Sequence, residues 1–479
     1  MTTAPITRRG YMLDISRDRV PTSETLRWLV TEVLAPLGYT QLELYMEHTF
    51  AHAGHDDVWG KASPLNAQEM RELDDLCAEH GIDLVPNQNV VGHMERWLQH
   101  DRLRHRAERP DLEEPTTLAP TPENAAFAQE LLEGLTATCR TQAVNIGGDE
   151  PWELGTGVSQ EECEQRGLGT VYAEHLARIA APWCDRGYRV QMWADVLEHH
   201  PDDAALLPDG IEPIVWIYES PTMLERVRDP RAIPDSEVNR GLADGFARRL
   251  APLIARGMAP WAAPGTGAWN SVAGRTENAW ENIADAARAL VGCEPPAGCE
   301  RGGLLLTHWG DHGSWEPYVL QVVPLAYASG LARDPHGATR AQAHELAARI
   351  IGDAELESVL DLGSLDTLLP LTALNATLLG HVFLGIELKE HDRPCDDQTA
   401  AARKVIERVR ARHAGAESGH AADLLQVADL ADLCLDAATG PVPQSRIHQV
   451  LEGQRRAWSR TSRPGGLDDA LQRPALMRG

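Results

Sequence analysis

Two features of the 479-residue sequence predict an α/β fold, namely a (β/α)8 (TIM) barrel followed by a helical C-terminal region. From Tyr11 to about Gly330, short apolar runs alternate with amphipathic helical segments, which is the pattern of parallel strands joined by helices. Beyond Asp334, segments rich in Ala, Leu, Arg and Glu keep a helical period without strand runs between them. We therefore expect a barrel over residues 1–334 and an α-helical region over 335–479.

The barrel prediction depends on how many apolar runs there are, because eight parallel strands close such a barrel. The predicted strands are Tyr11–Ser16, Gln41–Glu47, Asp83–Asn89, Ala143–Glu150, Arg189–Val196, Glu212–Tyr218, Ala259–Gly267 and Gly303–Gly310. Their number and order make the barrel the predicted architecture.

Helix signals lie between these runs. Asn66 with Glu69 predicts a capping box before a helix over Met70–His80, and Thr121-Pro122 predicts the start of a helix through Leu135. The charged, Pro-rich segment 102–120 reads as a long loop after the third strand, either a wall of the site or a solvated insertion.

The C-terminal region shows helical periodicity in three long segments. They are Ala341–Ile351, Thr399–Ala416 and Ala421–Ala437. The tail, Ser462–Gly479, contains Pro and Gly residues and is expected to be frayed or to serve a subunit contact.

Composition restricts the partners. A net charge of −27 argues against nucleic acid or an anionic membrane, because phosphate-binding surfaces need basic patches. The chain has 13 Trp but 4 Phe, and a Trp ring offers a flat apolar face and one donor, which suits stacking on sugars. The sequence has no stretch of transmembrane length, and its first residues lack the apolar core of a signal peptide, so we expect a cytoplasmic protein. The acidic charge and the helical tail are compatible with a monomer or a homodimer. We expect the substrate to be a small glycan or glycoconjugate.

The run Ala143–Glu150 ends in Gly147-Gly148-Asp149-Glu150, where the two glycines permit the chain to leave strand geometry. Asp149 and Glu150 can then reach one site, although adjacent residues of a strand point to opposite faces. Two acids held close in a partly dry pocket cannot both ionise freely, so one is expected to act as a proton donor. This is the chemistry of glycosidic bond cleavage, and the alternative interpretation is a helix N-cap.

Other strand ends and their neighbours supply groups suited to a pyranose ring. Arg9 precedes the first strand and is expected to bind hydroxyls, and His93 is expected to orient a carboxylate. His48, His52 and His55 follow strand two, but no further ligand pattern accompanies them, so no metal or other cofactor is expected. The remaining candidates at later strand ends are Trp193, Asp195, Trp216, Tyr218, Trp269, Asn270, Trp309, Asp311 and Trp315.

Two of these motifs resemble those of the family 20 glycoside hydrolases, the β-N-acetylhexosaminidases. The segment Arg9–Arg17, with sequence RGYMLDISR, looks like their strand-one motif, and Asn145–Glu150, with sequence NIGGDE, looks like their catalytic motif. Gly92-His93 is similar to the histidine after their third strand. The resemblance covers roughly residues 8–330 and is closest to the short, single-barrel members.

The resemblance implies a retaining, exo-acting, substrate-assisted reaction on terminal β-linked GlcNAc or GalNAc. In that reaction Glu150 protonates the glycosidic oxygen, and Asp149 orients the 2-acetamido group whose oxygen attacks the anomeric carbon. It further implies that Arg9 binds ring hydroxyls and that Trp193, Trp216 and Trp309 enclose the acetamide and the sugar face.

The chain departs from the family pattern at three points. Asn145 stands where the motif commonly has His, and Asp311 stands where strand eight usually carries Glu. No tyrosine follows strand seven, and Tyr218 on strand six is the substitute that we consider.

Several alternatives stay open. They are a β-N-acetylgalactosaminidase, a two-carboxylate glycosidase that uses Glu150 with Asp195 or Asp311 on sugars without an acetamide, a sugar-binding barrel without catalysis, and a metal-dependent hydrolase built on the strand-two histidines.

Overall fold

The computed structural model describes residues 6–17, 19–227, 245–269, 271–295, 297–298, 300–370, 379–380, 382 and 393–472. Within these ranges, eight parallel strands form a closed barrel in which each strand pairs with the next and β8 returns to β1. The strands are β1 (Arg9–Asp14), β2 (Gln41–Met46), β3 (Asp83–Gln88), β4 (Ala143–Asn145), β5 (Arg189–Trp193), β6 (Ile211–Trp216), β7 (Trp261–Ala263) and β8 (Leu304–His308). The predicted fold class is confirmed.

Each predicted apolar run overlaps one of these strands, although β1 begins two residues and β6 one residue before its run, and several runs continue beyond the strand itself. The run Ala143–Glu150 is strand only over Ala143–Asn145, and Ile146 onward belongs to the loop that follows. The apolar pattern persists because the strand ends are buried as deeply as the strands. These extra residues form the rim where polar side chains collect.

Helices follow most of the strands and surround the barrel. Their bounds up to residue 333, including short 3-10 and π turns, are Ser23–Trp28, Leu29–Leu34, Ala35–Leu37, Asp56–Trp59, Ala67–Glu79, Glu95–Leu98, Asp101–Arg104, Pro122–Thr136, Gln160–Arg166, Leu168–Asp185, Asp195–His199, Pro201–Leu206, Pro221–Val227, Phe246–Ala255, Thr276–Gly292, Tyr318–Gln321 and Val322–Arg333. The helices beyond are Arg340–Ile351, Asp353–Gly363, Leu365–Leu368, Asp396–Arg412, Gly419–Thr439, Gln444–Thr461 and Leu467–Gln472.

Both predicted helix starts have the expected caps. Asn66 and Glu69 form a capping box at the start of Ala67–Glu79, and the Thr121 hydroxyl accepts a hydrogen bond from the Asn124 backbone N–H. These caps satisfy backbone donors that a helix start would leave without partners.

A polar layer fills the barrel interior below the mouth. Glu43 is fully buried and accepts hydrogen bonds from Gln41, Asn87 and Asn145 at 2.6–2.9 Å. Burial raises the pKa of Glu43 to about 7, although the three hydrogen bonds favour its charged form. Asn145 also accepts the Gly147 N–H at 2.9 Å, so it supports the turn after β4 from inside the barrel.

The C-terminal helices pack beside the barrel near its first and last units. The buried Arg19 donates to the carbonyls of Ser314 and Glu316 and to the hydroxyls of Thr461 and Ser462. The first part of the tail that we expected to fray is held in place, since Arg463 pairs with Glu69 at 2.6 Å. Residues 473–479 of that tail lie outside the described residues, and the boundary at 334 stays a prediction.

None of the helices that the structure describes combines the length and the apolar composition needed to cross a membrane.

Candidate active site

A pocket of about 590 Å³ lies at the C-terminal ends of the strands, where (β/α)8 barrels carry their active sites. Sequence reasoning predicted a rim of tryptophan and acidic side chains at this place. The pocket brings together ten of the thirteen site candidates that it named: His93, Asp149, Glu150, Trp193, Asp195, Trp216, Tyr218, Trp269, Trp309 and Asp311. Trp315 does not line the pocket, and its Nε1 donates to the His312 carbonyl at 2.9 Å. Asn270, also named at this rim, lies outside the described residues.

The turn after β4 aims both acids at the pocket. Gly147 and Gly148 have φ angles of 69° and 93°, which L residues with a side chain rarely adopt. A Cβ on Gly147 would lie 2.4 Å from Asn89 Oδ1, so glycine is also required by space. Glu150 itself has a φ of 46°, and its backbone N–H donates to Asp195 Oδ2 at 3.0 Å.

His93 lies between the two acids. Its Nε2 atom is 3.3 Å from Asp149 Oδ2 and 3.4 Å from Glu150 Oε2. Burial alone would lower the pKa of His93, but the charge of Asp149 and hydrogen bonds to both acids raise it well above 6.5. At neutral pH, His93 is therefore a cation in contact with both acids.

Asp149 occupies the more enclosed position of the pair. Its side chain is 8% exposed and Oδ1 accepts a hydrogen bond from Asn89 Nδ2 at 2.7 Å, whereas the Glu150 side chain is 30% exposed. Asn89 Nδ2 also donates to the Tyr45 hydroxyl at 3.1 Å. This arrangement fixes Asp149 and leaves Glu150 nearer to solvent.

Asp195 is a third carboxyl group beside the pair. Burial and the charge of Asp149 raise its pKa from 3.8 to about 8, although the Glu150 N–H favours its charged form. Asp195 therefore holds a proton at neutral pH. A neutral carboxyl group is a poor nucleophile, so this position does not favour Asp195 as the second acid of a two-carboxylate mechanism.

Aromatic rings form the walls of the pocket. Trp193 and Trp309 lie with ring centroids 5.7 Å apart, and Tyr218 stacks on Trp216 at 5.2 Å with 19° between the ring planes. The Tyr218 hydroxyl accepts a hydrogen bond from Trp309 Nε1 at 2.6 Å and also has the Thr307 side chain as a hydrogen-bond partner. Trp193 Nε1 and Trp269 Nε1 are buried without a hydrogen-bond partner. The pocket thus offers flat faces together with unused donors.

Arg17 and Arg249 line the pocket, whereas the predicted Arg9 does not. Arg17 NH1 lies 2.6 Å from Glu47 Oε1, and Nε lies 3.6 Å from Asp311 Oδ1. Arg17 follows the C-terminal end of β1 by three residues, and it is the last residue of the strand-one motif quoted above. Because Arg17 lies just after the C-terminal end of β1, where barrel enzymes carry their active sites, its place in the sequence could have identified it as a site residue.

The expectation for Arg9 is wrong because Arg9 begins β1 and so lies at the opposite end of the barrel. Its Nε donates to the Gly38 carbonyl at 2.6 Å and NH1 donates to the Ile6 carbonyl at 3.2 Å. These bonds fix the residues before β1 and the turn before β2. Arg9 is therefore a structural residue.

Two of the three strand-two histidines have side-chain partners, whereas Nδ1 of His48 is buried without a hydrogen-bond partner. His52 Nε2 is 3.0 Å from Gln88 Oε1, and His55 lies 3.1 Å from Arg102 NH2 and 3.6 Å from Glu130. Among the described residues, Glu47, His93 and Glu95 have ligand-type atoms within 4.8 Å of one another. Arg17 already supplies a positive charge to Glu47 at that place.

Comparison with known proteins gives related sequences over part of the chain. Hexosaminidase D of Homo sapiens is 27% identical over 192 residues, which are 38% of this chain and 39% of the relative. Hexosaminidase D of Bos taurus is 25% identical over 195 residues, 38% of this chain and 55% of the relative. The match therefore spans about half or less of these curated relatives. No family model matches the chain.

Solved structures share the fold. A chitobiase from Flavobacterium johnsoniae aligns over 98% of this chain and 78% of its own, with a TM-score of 0.56 and 13% identity. A β-N-acetylhexosaminidase from Bacteroides fragilis aligns over 68% and 66%, with a TM-score of 0.52 and 14% identity. An exo-β-N-acetylglucosaminidase of family 20 from Vibrio harveyi, solved with N-acetylglucosamine, aligns over 75% and 59%, with a TM-score of 0.51 and 14% identity. The resemblance predicted from the motifs is thus confirmed, because the chain shares its fold with the family 20 β-N-acetylhexosaminidases and part of its sequence with hexosaminidase D.

Proposed function

We propose that this protein is an exo-acting, retaining glycoside hydrolase that removes terminal β-linked N-acetylhexosamine from a glycan or glycoconjugate, assisted by the acetamido group of the substrate. The observation that carries this proposal is the contact of His93 with both Asp149 and Glu150 at a tryptophan-walled pocket. The names of the relatives with similar sequence or fold support the same substrate class.

Glu150 acts as the general acid. It donates a proton to the glycosidic oxygen while the bond from that oxygen to the anomeric carbon breaks, and the leaving group departs as an alcohol. Once ionised, Glu150 takes a proton from the water that attacks the anomeric carbon in the second step. Its 30% exposed side chain is reachable by both leaving group and water.

Asp149 acts on the acetamido group. Its carboxylate accepts the acetamido N–H, which directs the carbonyl oxygen at the anomeric carbon and favours formation of a cyclic oxazolinium-like intermediate. The hydrogen bond from Asn89 at 2.7 Å holds Asp149 in one orientation for this task. Two inversions, first by the acetamide oxygen and then by water, retain the anomeric configuration.

The aromatic residues and the polar pair Arg17 and Asp311 hold the sugar. Trp193, Trp216 and Trp309 enclose the acetamide and the C–H face of the ring, and the Tyr218 hydroxyl donates to the acetamide oxygen. Arg17 and Asp311, 3.6 Å apart, bind ring hydroxyls. A pocket of this kind accepts the end of a glycan, which is the basis for exo action.

The test is release of p-nitrophenol from paired β-GlcNAc, β-GalNAc and β-glucose glycosides by the wild type and by Glu150→Gln. We expect hydrolysis confined to the two acetamido sugars and a loss of about 100-fold or more in the variant. Glu161→Gln makes the same chemical change at an exposed position and serves as the matched control.

Each outcome separates one alternative. Equal or greater activity on the glucoside would overturn the acetamide mechanism in favour of two carboxylates. Activity on β-GalNAc alone would restrict the proposal to a β-N-acetylgalactosaminidase. Binding of the sugars without hydrolysis would leave a sugar-binding barrel, and loss of activity with a chelator would favour a metal-dependent hydrolase.

A further inference from the structure

The catalytic pocket has an enclosed end and an outer end. Trp193 is fully buried and the Asp149 side chain is 8% exposed, whereas the Glu150 side chain is 30% exposed. A general acid must contact the glycosidic oxygen, so the leaving group lies on the side of Glu150. With the sugar ring at the enclosed end, the leaving group extends toward the outer end.

Trp152 belongs to this outer end. It follows Glu150 by two residues, it lines the same pocket, and it is 66% exposed, the highest value among the large apolar side chains described. One exposed apolar side chain is common on protein surfaces and needs no function. The informative observation is that Trp152 and Glu150, two residues apart in the chain, line the same pocket.

The loop that carries Trp152 is firmly held on both sides of the exposed ring. The Trp152 N–H donates to the Glu150 carbonyl at 2.8 Å, and Leu154 is 5% exposed. The Glu153 carboxylate accepts the backbone N–H groups of Thr116 and Thr117 at 2.8 and 3.2 Å. The indole therefore projects from an ordered loop without being part of its packing.

The segment 102–120 supports this loop from behind. The Glu108 carboxylate accepts the N–H groups of Gly157 and Ser159 at 3.0 Å and the Ser159 hydroxyl at 2.7 Å. Among the pocket-lining residues that the structure describes, none comes from 102–120. The segment thus positions the acid loop instead of forming a wall of the pocket.

The pocket lining outside the acid pair, His93, Arg17 and Asp311 has few charged side chains, and burial lowers the pKa of His199. Pro151, Leu168 and Val196 also line the pocket, and Glu198 and Arg249 pair with each other through two hydrogen bonds. A charged leaving group would find no free opposite charge in this set. A flat, uncharged ring would cover the exposed indole and the apolar side chains beside it.

We propose that Trp152 is the platform of a leaving-group site, where a flat uncharged ring attached to the glycosidic oxygen stacks on the indole. The ring is an aromatic group or the C–H face of a second pyranose, because both present the same apolar face. This inference rests on the proposed function and deepens it, since it names the class of leaving group that the enzyme prefers.

The experiment measures binding by calorimetry with β-GlcNAc thioglycosides, whose sulfur link resists hydrolysis. The three probes are the methyl 1-thioglycoside, the phenyl 1-thioglycoside and the thio-linked GlcNAc disaccharide. Trp152→Ala is compared with Trp152→Phe, which keeps a flat ring, and with Val158→Ala, which truncates a 56% exposed side chain on the same loop.

We expect the wild type to bind the phenyl probe about 10-fold more tightly than the methyl probe, as an aromatic pair would provide. Trp152→Ala removes this preference, Trp152→Phe keeps most of it, and Val158→Ala leaves it unchanged. If Trp152→Ala weakens binding of both the phenyl probe and the disaccharide, the site accepts a second sugar. If it weakens binding of the phenyl probe alone, the site accepts aromatic leaving groups.

Two results would overturn the leaving-group site without contradicting the proposed function. One is an unchanged ratio between the phenyl and methyl probes in Trp152→Ala, and the other is an equal loss for all three probes, which a distorted loop would produce. A wild type that binds none of the probes would instead contradict the proposed function, and the leaving-group site with it.

Discussion

His93 Nε2 lies 3.3 Å from Asp149 Oδ2, although 55 residues separate the two in the chain. The contact exists because β3 and β4 are parallel neighbours whose C-terminal ends meet at the mouth of the barrel. His93 has a φ of 54°, and this backbone conformation directs its ring toward the two acids. One side chain thereby contacts both acids, with Nε2 3.4 Å from Glu150 Oε2.

His93→Asn is expected to lower kcat/KM by about 10- to 100-fold, because the cation between the acids is lost. Asn tolerates positive φ better than most residues, so the backbone should be preserved. The raised pKa of His93 means that its cation is present below that pKa and is lost as pH rises through it. The part of the alkaline limb of the wild-type pH–rate profile that reports loss of this cation should therefore be absent in the variant. An unchanged limb would contradict this assignment, and His336→Asn, at an exposed turn, is the control.

Gly92→Ala is expected to reduce both stability and activity. A Cβ at this position would lie 2.2 Å from the Asp149 carbonyl oxygen, so the loop after β3 or the catalytic turn must move. We expect the free energy of unfolding to fall by about 1–3 kcal/mol and kcat to fall by more than 10-fold, measured by thermal unfolding and steady-state kinetics. Gly292→Ala, at a helix end with no atom within 4 Å of the added Cβ, should change neither.

Arg17 and Arg9 should respond in opposite ways to truncation. Arg17→Ala removes a pocket cation 2.6 Å from Glu47 and should lower kcat/KM by about 100-fold. Arg9→Ala removes two bonds to backbone carbonyls at the far end of the barrel and should lower the melting temperature while kcat/KM stays within about two-fold. Comparable kinetic losses in the two variants would restore Arg9 to the site.

Asp195→Asn should change how stability depends on pH. With a folded pKa of about 8 against an ordinary 3.8, the folded state holds a proton between pH 4 and pH 8 that the unfolded chain releases. The free energy of unfolding therefore decreases as pH rises through this window. The variant lacks this loss, so its melting temperature relative to the wild type should increase from pH 4.5 to pH 8, by about 2 °C or more. A difference that does not vary with pH would contradict the assignment, and Asp209→Asn, on the surface, should show none.

Asp311→Glu tests hydroxyl selectivity. The added methylene moves the carboxylate away from the position in which Oδ1 lies 3.6 Å from Arg17 Nε. We expect the ratio of kcat/KM for β-GlcNAc to that for β-GalNAc to change by about five-fold or more, because an unpaired buried hydroxyl is costly. A ratio that stays constant would mean that Asp311 does not read the configuration of a hydroxyl.

Local patterns in the sequence predicted the elements well. Eight apolar runs correspond to the eight strands, and Asn66 with Glu69 forms the predicted capping box, because period and caps depend on neighbouring residues. The ends of strands were less accurate. The run ending at Glu150 leaves strand geometry after Asn145, because Gly147 and Gly148 turn the chain with positive φ angles.

The prediction that Arg9 belongs to the site shows what local sequence patterns leave open. Arg9 and Arg17 flank the same strand eight residues apart, and both have the chemistry to bind hydroxyls. Only the direction of β1 within the barrel decides between them, because a parallel barrel gathers the residues that follow its strands and separates those that precede them.

By itself, then, the sequence determined the number and order of strands, the glycine turn and the acids that follow it, since all of these depend on local backbone preferences and residue chemistry. The tertiary structure alone decided that His93 contacts both acids and that Asp195 accepts the Glu150 backbone N–H. It also decided that Arg17 faces the pocket and that Trp152 is an exposed residue of the same pocket. These relationships join residues from different strands and loops, and their distances follow from barrel closure and burial, which no local pattern encodes.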